Sequence, residues 1–370
     1  MGYALNPDKF YWNKNNNQTN EHMKKNKINI LILGVGGNVS QGILTAIKCS
    51  SIPCRIVGAC ISEESLGLYF CDSAYISPYA NDPNFIPWVA DVCNKENIDI
   101  IFSGVEENVM ALESNREMLE SLTRAVFVSS NKEQLTIGLS KYKTAKWLQE
   151  HGCHYPKSAN MFNKTEVETL IKEVGFPLIA KPNSGKGAHG IFIAHNYDDL
   201  LQIKDKDYCL QEILGDSDSE YTIACYMDKK GTAQEPLVMH RFLKYGTTFM
   251  AEIVQDNAIK EECIKICEAF KPIGPLNIQL RMHHGLPVCF ELNVRFSGTT
   301  PIRARWGYND VEAMIREYLY DEPVMLNPQK SGKAYRYYNE AFIDVTMQEK
   351  LQKELSVKDC KQYVNYINQK

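Results

Sequence analysis

LNIQLRMHHGLPVCFELNVRFSGTTPIRAR, residues 276–305, reads as a β-hairpin followed by a polar turn. Leu276–Met282 and Val288–Val294 are short apolar–polar segments on either side of His283-His284-Gly285-Leu286-Pro287, a stretch rich in turn formers. With that loop symmetric about Gly285, Gln279 stands opposite Glu291 and Asn277 opposite Asn293. Side chains two apart in a strand share a face, so these four oxygen-bearing groups project together. Hard divalent cations such as Mg²⁺ take carboxylate and amide oxygens and keep phosphate oxygens as further ligands. Arg295 continues the same face, where a guanidinium can hold a transferring phosphoryl group. The plainer alternative is the polar outer face of an ordinary hairpin.

Upstream, Phe176–Lys181 (FPLIAK) predicts a strand ending in a lysine. The loop Pro182–Gly190 (PNSGKGAHG) and a second strand, Ile191–Ala194, follow. Glycines such as Gly185, Gly187 and Gly190, with Ser184 beside them, let backbone N–H groups approach phosphate oxygens, and Lys181 adds a point charge. The G-x-G-x-x-G spacing precedes a strand here, whereas a dinucleotide fingerprint opens a helix. No Gly-Lys-Ser/Thr occurs, which excludes a Walker A loop. Strand, glycine loop and strand together make a flap over nucleotide phosphates, or else a plain flexible hairpin.

Residues 27–131 alternate strand and helix. Ile28–Leu33 is a buried strand, Gly34–Asn38 a turn, Val39–Lys48 a helix and Arg55–Ile61 a second strand. The helix Phe85–Glu96, the strand Asp99–Val105 running into Glu106-Glu107, and the strand Ala125–Ser129 follow. This order predicts a parallel, doubly wound sheet. Glu106 or Glu107, at the carboxyl end of a strand, is where open sheets bind ligands. Thr136–Gly152 predicts one amphipathic helix closed by Gly152. Beyond it, strands at 176–182, 190–194, 208–213 and 221–227 and helices ending at Phe270 and spanning Asp310–Tyr320 give an α+β pattern. The expected organisation is a disordered extension over 1–26, a Rossmann-like domain over 27–131, a two-lobed domain over 132–326 divided near 205, and a weakly patterned C-terminal segment, 327–370.

The 370 residues are 44% hydrophobic and 23% charged, as in an ordinary globular chain able to bury a core unaided. A formal net charge of −4 provides no basic field, so nucleic acid is not expected as a partner. The 12 cysteines show no CxxC pair and no zinc spacing; Cys263 and Cys267, one helical turn apart, are expected as buried thiols. With no apolar run of about 20 residues and an Asn-rich start unlike a signal peptide, no membrane association is expected, and the compartment is expected to be cytoplasmic.

From about Asn131 to Asp321 the chain resembles the ATP-grasp superfamily, which also carries a preceding Rossmann-like domain. The resemblance implies that Ser140-Lys141 provides a helix-start lysine for ATP phosphates, Lys181 the second phosphate lysine, and Asn183–Gly190 the covering loop. It further implies that Gln211-Glu212-Ile213-Leu214 holds adenine, that Glu220 binds ribose hydroxyls, and that Gln279, Glu291 and Asn293 hold two Mg²⁺ ions, with Mn²⁺ able to substitute. The pattern is most similar to the ATP-grasp half of carbamoyl-phosphate synthase large chains. It differs in having one such unit, in Lys181 at a usual arginine, and in Gly298 near the place of a further arginine. These differences point towards carboxylate–amine ligases of the same superfamily.

For such an enzyme, the γ-phosphoryl of ATP converts a poor leaving group into an acyl phosphate that an amine attacks, releasing ADP. Lys141, Lys181 and Arg295 would supply fixed positive charge, and the glycine flap would exclude water. Arg303 and Arg305 are the expected holders of the substrate carboxylate. The partners expected are a small-molecule carboxylate and an amine, with a homodimer compatible with this class. Two alternatives stand beside this one: phosphorylation of a carboxylate or carbamate in the manner of carbamoyl-phosphate synthase, and a nicotinamide-dependent oxidoreductase. The latter rests on Gly34-Val35-Gly36-Gly37 and on Glu63 or Glu64 after the second strand, but Val39 stands where the third glycine belongs.

Overall fold

A computed structural model describes residues 27–185, 190–203, 207–215, 219–338, 340–360 and 364–365. The expected extension over 1–26, the lobe division near 205, and Gly187 and His189 of the flap lie outside the described residues.

The N-terminal unit runs β1 (Ile28–Leu33), α1 (Asn38–Lys48), β2 (Cys54–Cys60), β3 (Ser73–Ile76), α2 (Phe85–Glu96), β4 (Ile100–Ser103), α3 (Glu106–Ser114), α4 (Arg116–Leu122) and β5 (Val126–Phe127). These five strands pair in parallel in the order β3-β2-β1-β4-β5. β1 is central and covered on both faces. Ile30 and Ile32 join one core cluster, and Leu31 and Leu33 the other, which is why its sequence is unbroken apolar rather than alternating. The sequence reading missed β3, whose four residues Ser-Ala-Tyr-Ile carry too little pattern to stand out. It enters the sheet through pairing with β2, a tertiary effect.

The single helix expected over Thr136–Gly152 is two, α5 (Lys132–Leu139) and α6 (Lys141–Glu150). Ser140 stands between them in extended geometry, and its hydroxyl accepts from the Lys143 N–H at 3.2 Å, capping α6. The break matters because it places Lys141 in the first turn of a helix. The next lobe contains β6 (Ser158–Asn160), α7 (Lys164–Val174), β7 (Leu178–Pro182), β8 (Phe192–Ala194), α8 (Tyr197–Leu201) and β9 (Tyr208–Glu212), with an antiparallel sheet ordered β6-β9-β7-β8. The following lobe has β10 (Glu220–Met227), β11 (Leu237–Lys244), β12 (Thr247–Ile253), α9 (Asn257–Phe270), β13 (Gly274–His283) and β14 (Leu286–Asn293), then the helices α10 (Thr300–Arg305) and α11 (Asp310–Tyr320). Ile259, Cys263, Ile266, Cys267 and Phe270 form the buried stripe of α9, so Cys263 and Cys267 are the core thiols expected.

The C-terminal segment, weakly patterned in sequence, ties both units together. β15 (Lys333–Tyr335) extends the larger sheet, giving β14-β13-β10-β11-β12-β15. Past the short β16 (Phe342–Ile343) and the helix α12 (Val345–Glu354), β17 (Ser356–Lys358) pairs antiparallel with β3; β18 (Val364–Asn365) pairs with β16. One core cluster runs from Ile30 and Ile43 through Ala304, Val311 and Met314 to Tyr226. It joins the N-terminal sheet to the larger lobe. At the seam, a Cβ on Gly42 of α1 would come within 2.8 Å of Pro301 Cδ, so the α1–α10 approach requires glycine.

Candidate functional site

The hairpin β13–β14 pairs Asn277 with Asn293 and Gln279 with Glu291, the partners expected. The route differs from a symmetric loop. His284 and Gly285 alone form the turn, both at positive φ (49° and 78°), which pairs His283 with Leu286. A bulge then leaves Phe290 between Cys289, opposite Leu280, and Glu291, opposite Gln279. The extra residue restores the register and turns Glu291 onto the same face as Asn293.

That face lines a cleft of about 360 Å³ together with Arg295, the β11–β12 strands, Gly185 of the flap and the Gly37–Ser40 start of α1. An adjoining space is lined by Lys141, Gly185, Glu106 and Glu291. Lys181 approaches from β7. Its ammonium donates to Gln211 Oε1 at 3.2 Å and lies 5.2 Å from the centre of the Phe290 ring, the bulged residue. Burial pushes the Lys181 ammonium below its ordinary pKa, with the charge of Glu291 opposing that shift and those of Lys141 and Arg281 adding to it. Lys181 therefore lies against the residue that precedes Glu291, while Lys141 and Glu291 line one space. Asn183 holds this corner: its carbonyl accepts from Lys141 N at 3.2 Å, and its side-chain oxygen accepts from Tyr142 N at 3.1 Å.

Four expected site residues, Glu220, Gln279, Arg295 and Glu106, are already engaged within the protein. Glu220 is buried and grips two guanidiniums, Arg241 (Nε, 2.9 Å) and Arg281 (Nη2, 2.7 Å). Burial alone would raise its carboxyl, but the two arginines override this and hold it below the usual carboxylate range. Arg241 also donates to Gln279 Oε1 at 2.5 Å. Arg295 pairs with Glu106, which sits at the first turn of α3 and lines the cleft, and donates to the Phe296 carbonyl at 2.7 Å.

Arg303 and Arg305 are placed where they cannot hold a ligand carboxylate. Arg303 is fully buried against Asp310, equally buried, because α10 turns inward onto the start of α11. Arg305 is exposed and donates to the Pro301 carbonyl at 3.0 Å, away from the cleft lining. His283, expected in the turn, ends β13 instead: its Nδ1 accepts from Gly215 N at 3.1 Å, and its Nε2 lies 3.6 Å from Glu212 Oε2. Glu212 also accepts from Lys157 N at 2.7 Å, and the Leu214 carbonyl accepts from Arg281 at 3.2 Å. Ser184 and Gly190 border the flap.

The sequence reading missed Arg241, Arg336 and the state of Asn277. Arg241 sits on β11, a strand not recognised in sequence. Asn277 is fully buried; its Oδ1 accepts from Thr222 Oγ1 at 3.1 Å, while its Nδ2 has no partner among the described residues. A buried orphan donor on a cleft wall is open to an acceptor oxygen from a water or a ligand. The oxygens of Glu291 and Asn293 suit a hard cation, and Gln279 Oε1 joins them by sharing or giving up its bond from Arg241. No group of three His, Cys, Asp or Glu side chains clusters among the described residues, so any cation here would rest on one carboxylate, amides and ligand oxygens.

A Rossmann-like domain followed by two lobes that converge two lysines on an acid–amide hairpin defines the ATP-grasp class. Two family profiles match the chain: "PylC-like, N-terminal domain" over residues 30–127 and "ATP-grasp in the biosynthetic pathway with Ter operon" over residues 204–341. The chain belongs to the ATP-grasp superfamily and is related, at low identity, to its carbamoyl-phosphate synthase-like enzymes. The carbamoyl phosphate synthase large chain of Campylobacter jejuni is 24% identical over 209 residues, 55% of this chain and 16% of that protein. The Pseudothermotoga lettingae large chain is 21% identical over 318 residues, 79% of this chain and 28% of that one. The chain thus spans less than a third of these relatives. Among solved structures, N5-carboxyaminoimidazole ribonucleotide synthetase from Thermus thermophilus aligns with a TM-score of 0.65 at 14% identity, covering 82% of this chain and 81% of that one. Biotin carboxylase from Campylobacter jejuni aligns at 0.59 with 18% identity, covering 78% and 70%. At such identities the structural likeness speaks to the fold.

Proposed function

We propose that the protein is an ATP-dependent carboxylate–amine ligase that forms an acyl phosphate and releases ADP. The observation that carries this reading is the convergence of Lys141, Gly185 and Glu291 on one space from three separate segments, with the Lys181 ammonium 5.2 Å from the ring of Phe290, the residue before Glu291. In this reading the ammonium groups of Lys141 and Lys181 bind triphosphate oxygens, and phosphate contact restores the protonated state that burial opposes at Lys181. The Asn277 amide donates to a ligand oxygen. Gln211, Glu212, Ile213 and Leu214 flank the base, and the flap through Ser184, Gly185, Gly187 and Gly190 covers the phosphates and keeps water from the acyl phosphate. Glu291, Asn293 and Gln279 would hold Mg²⁺, which supplies charge neutralisation on the phosphates.

Arg295 acts through its pairing with Glu106, which joins the N-terminal domain to the end of the hairpin. Glu220 serves to set Arg241 and Arg281 rather than to meet ribose, since both its oxygens accept from guanidiniums. The amine attacks the acyl carbon, the carbon–oxygen bond to phosphate breaks, and phosphate leaves with that electron pair while a phosphate oxygen takes the proton the amine gives up. A nicotinamide enzyme is the weaker reading: the Gly34–Gly37 turn runs into the same cleft as Glu291, and Ser65 Oγ lies 2.7 Å from the place of a Gly36 Cβ.

The test is ADP release across paired acids and amines with hydroxylamine present. Hydroxamate formed together with ADP supports the reading, and AMP with pyrophosphate would defeat it.

A further inference from the structure

Arg336 lies in the C-terminal segment, immediately after β15. The pairing of β15 with β12, extended by the Arg336 N–H donating to the Phe249 carbonyl at 2.8 Å, fixes where its side chain starts. From there the guanidinium reaches three pieces of the fold. It donates to Asn38 Oδ1 at 3.0 Å, to Thr247 Oγ1 at 3.1 Å and to the Gly298 carbonyl. All three of these residues line the cleft that holds Glu291 and Asn293. A Cβ on Gly298 would stand 3.8 Å from Arg336 Nη2, an ordinary contact distance, so the guanidinium lies directly against that wall.

The charges around it are unbalanced. Arg241 and Arg295, the two arginines that line the cleft, are each neutralised by a carboxylate, Glu220 and Glu106. Arg336 meets only neutral acceptors, and among the described residues no carboxylate lies within ion-pair distance of it. A guanidinium stays charged at every accessible pH. Burial works against that charge without any compensating group. Its Nε, and one of the two hydrogens on Nη2, are committed to nothing among the described residues, and a guanidinium fork matches a carboxylate in geometry as well as in sign.

Resting on the ligase reading above, we propose that Arg336 binds a carboxylate of the substrate that does not react, at the Gly298 end of the cleft. The substrate class is then either a dicarboxylic acid or, on the amine side, an α-amino acid. The reacting carboxylate is turned to the phosphates and Glu291, and Arg336 holds the other end.

Thermal unfolding of the full chain tests this, with Mg-AMPPNP as the nucleotide probe. Dicarboxylates from malonate to adipate, α-amino acids and monocarboxylates of matched length serve as carboxylate probes, each read with and without nucleotide. The wild type is expected to respond to dicarboxylates or to amino acids, the responding set naming the acid or the amine, and not to the monocarboxylates. Arg336→Gln is expected to keep the Mg-AMPPNP shift and to weaken the best carboxylate by at least about tenfold, with Arg336→Lys recovering part of it. Arg305→Ala, outside the cleft, is expected to bind as the wild type does. Unchanged carboxylate affinity in Arg336→Gln overturns the proposal, as does a wild type that answers to no carboxylate. If Mg-AMPPNP fails to shift the wild type, the ligase reading falls while the arm without nucleotide still decides on Arg336. If Arg336→Gln loses nucleotide and carboxylate protection alike, the arginine is a structural tie and the proposal falls.

Discussion

Replacing Arg303 with methionine is expected to lower stability and leave ligand affinity intact, the reverse of what a substrate-binding arginine would do. Arg303 and Asp310 are both fully buried, and their only mutual compensation is the ion pair between them. The guanidinium also donates to Ser297 Oγ at 3.3 Å, a minor loss beside the pair. Removing one partner of a buried pair leaves an uncompensated charge and costs about 3–5 kcal/mol. Asp310 Oδ1 has no hydrogen-bond partner among the described residues, so nothing else there offsets the carboxylate once the guanidinium is gone. Burial raises the Asp310 pKa even with Arg303 present, and without the arginine it rises further. The defect of the variant should therefore be largest at neutral pH and shrink on acidification, as Asp310 takes up a proton. The assay is urea unfolding of the wild type, Arg303→Met, Asp310→Asn and the double variant at two pH values. The double variant should recover most of the loss, giving a coupling of about 2 kcal/mol or more. An Arg303→Met protein within about 0.5 kcal/mol of wild type whose KM for the acid has risen tenfold would refute this account and return Arg303 to the substrate.

The remaining expectations concern the cleft and its frame. Glu291→Gln should fold normally yet lose Mg²⁺-dependent ADP release by about a hundredfold or more, because the cation set loses its only carboxylate; chelation by EDTA should match it in the wild type. Lys181→Met should reduce kcat/KM by about 10²–10³ through loss of fixed charge, with circular dichroism unchanged, and retained turnover would remove Lys181 from the phosphate site. Glu220 is held below the usual carboxylate pKa, so its contribution is present above about pH 4.3 and is lost as pH falls through the folded value. Glu220→Gln should accordingly be most destabilising near neutrality and converge with the wild type in acid, as followed by thermal unfolding across pH. Gly42→Ala should destabilise by about 1–3 kcal/mol by driving α1 off α10, where Pro301 Cδ stands 2.8 Å from the new Cβ.

Much of this architecture could be read locally. Unbroken apolar runs such as Ile28–Leu33 signal a parallel strand covered on both faces, and period-two alternation around a turn signals the hairpin; both depend only on which neighbours along the chain share a face. The pairing of Gln279 with Glu291 was legible for the same reason, although a two-residue turn and a bulge at Phe290 produce it jointly. Residue type also indicated which groups bear chemistry, since lysines at a strand end or helix start and an acid two residues before an amide have few other uses in such an order.

What side chains do with their charges was not legible, because the partner of a long cationic side chain is chosen across space. Arg303 and Arg305 lie two apart in sequence, yet one is sealed against Asp310 and the other faces water. Glu220 looks free in sequence but meets Arg241 and Arg281 from two neighbouring strands. Arg336, in a tail without pattern, reaches the cleft-lining residues Asn38, Thr247 and Gly298 only because β15 pairs with β12. The chain alone determined its elements and the kinds of chemistry it carries; the folded molecule decided which charges are consumed in holding the fold and which are left for a ligand, because that balance depends on distance and burial.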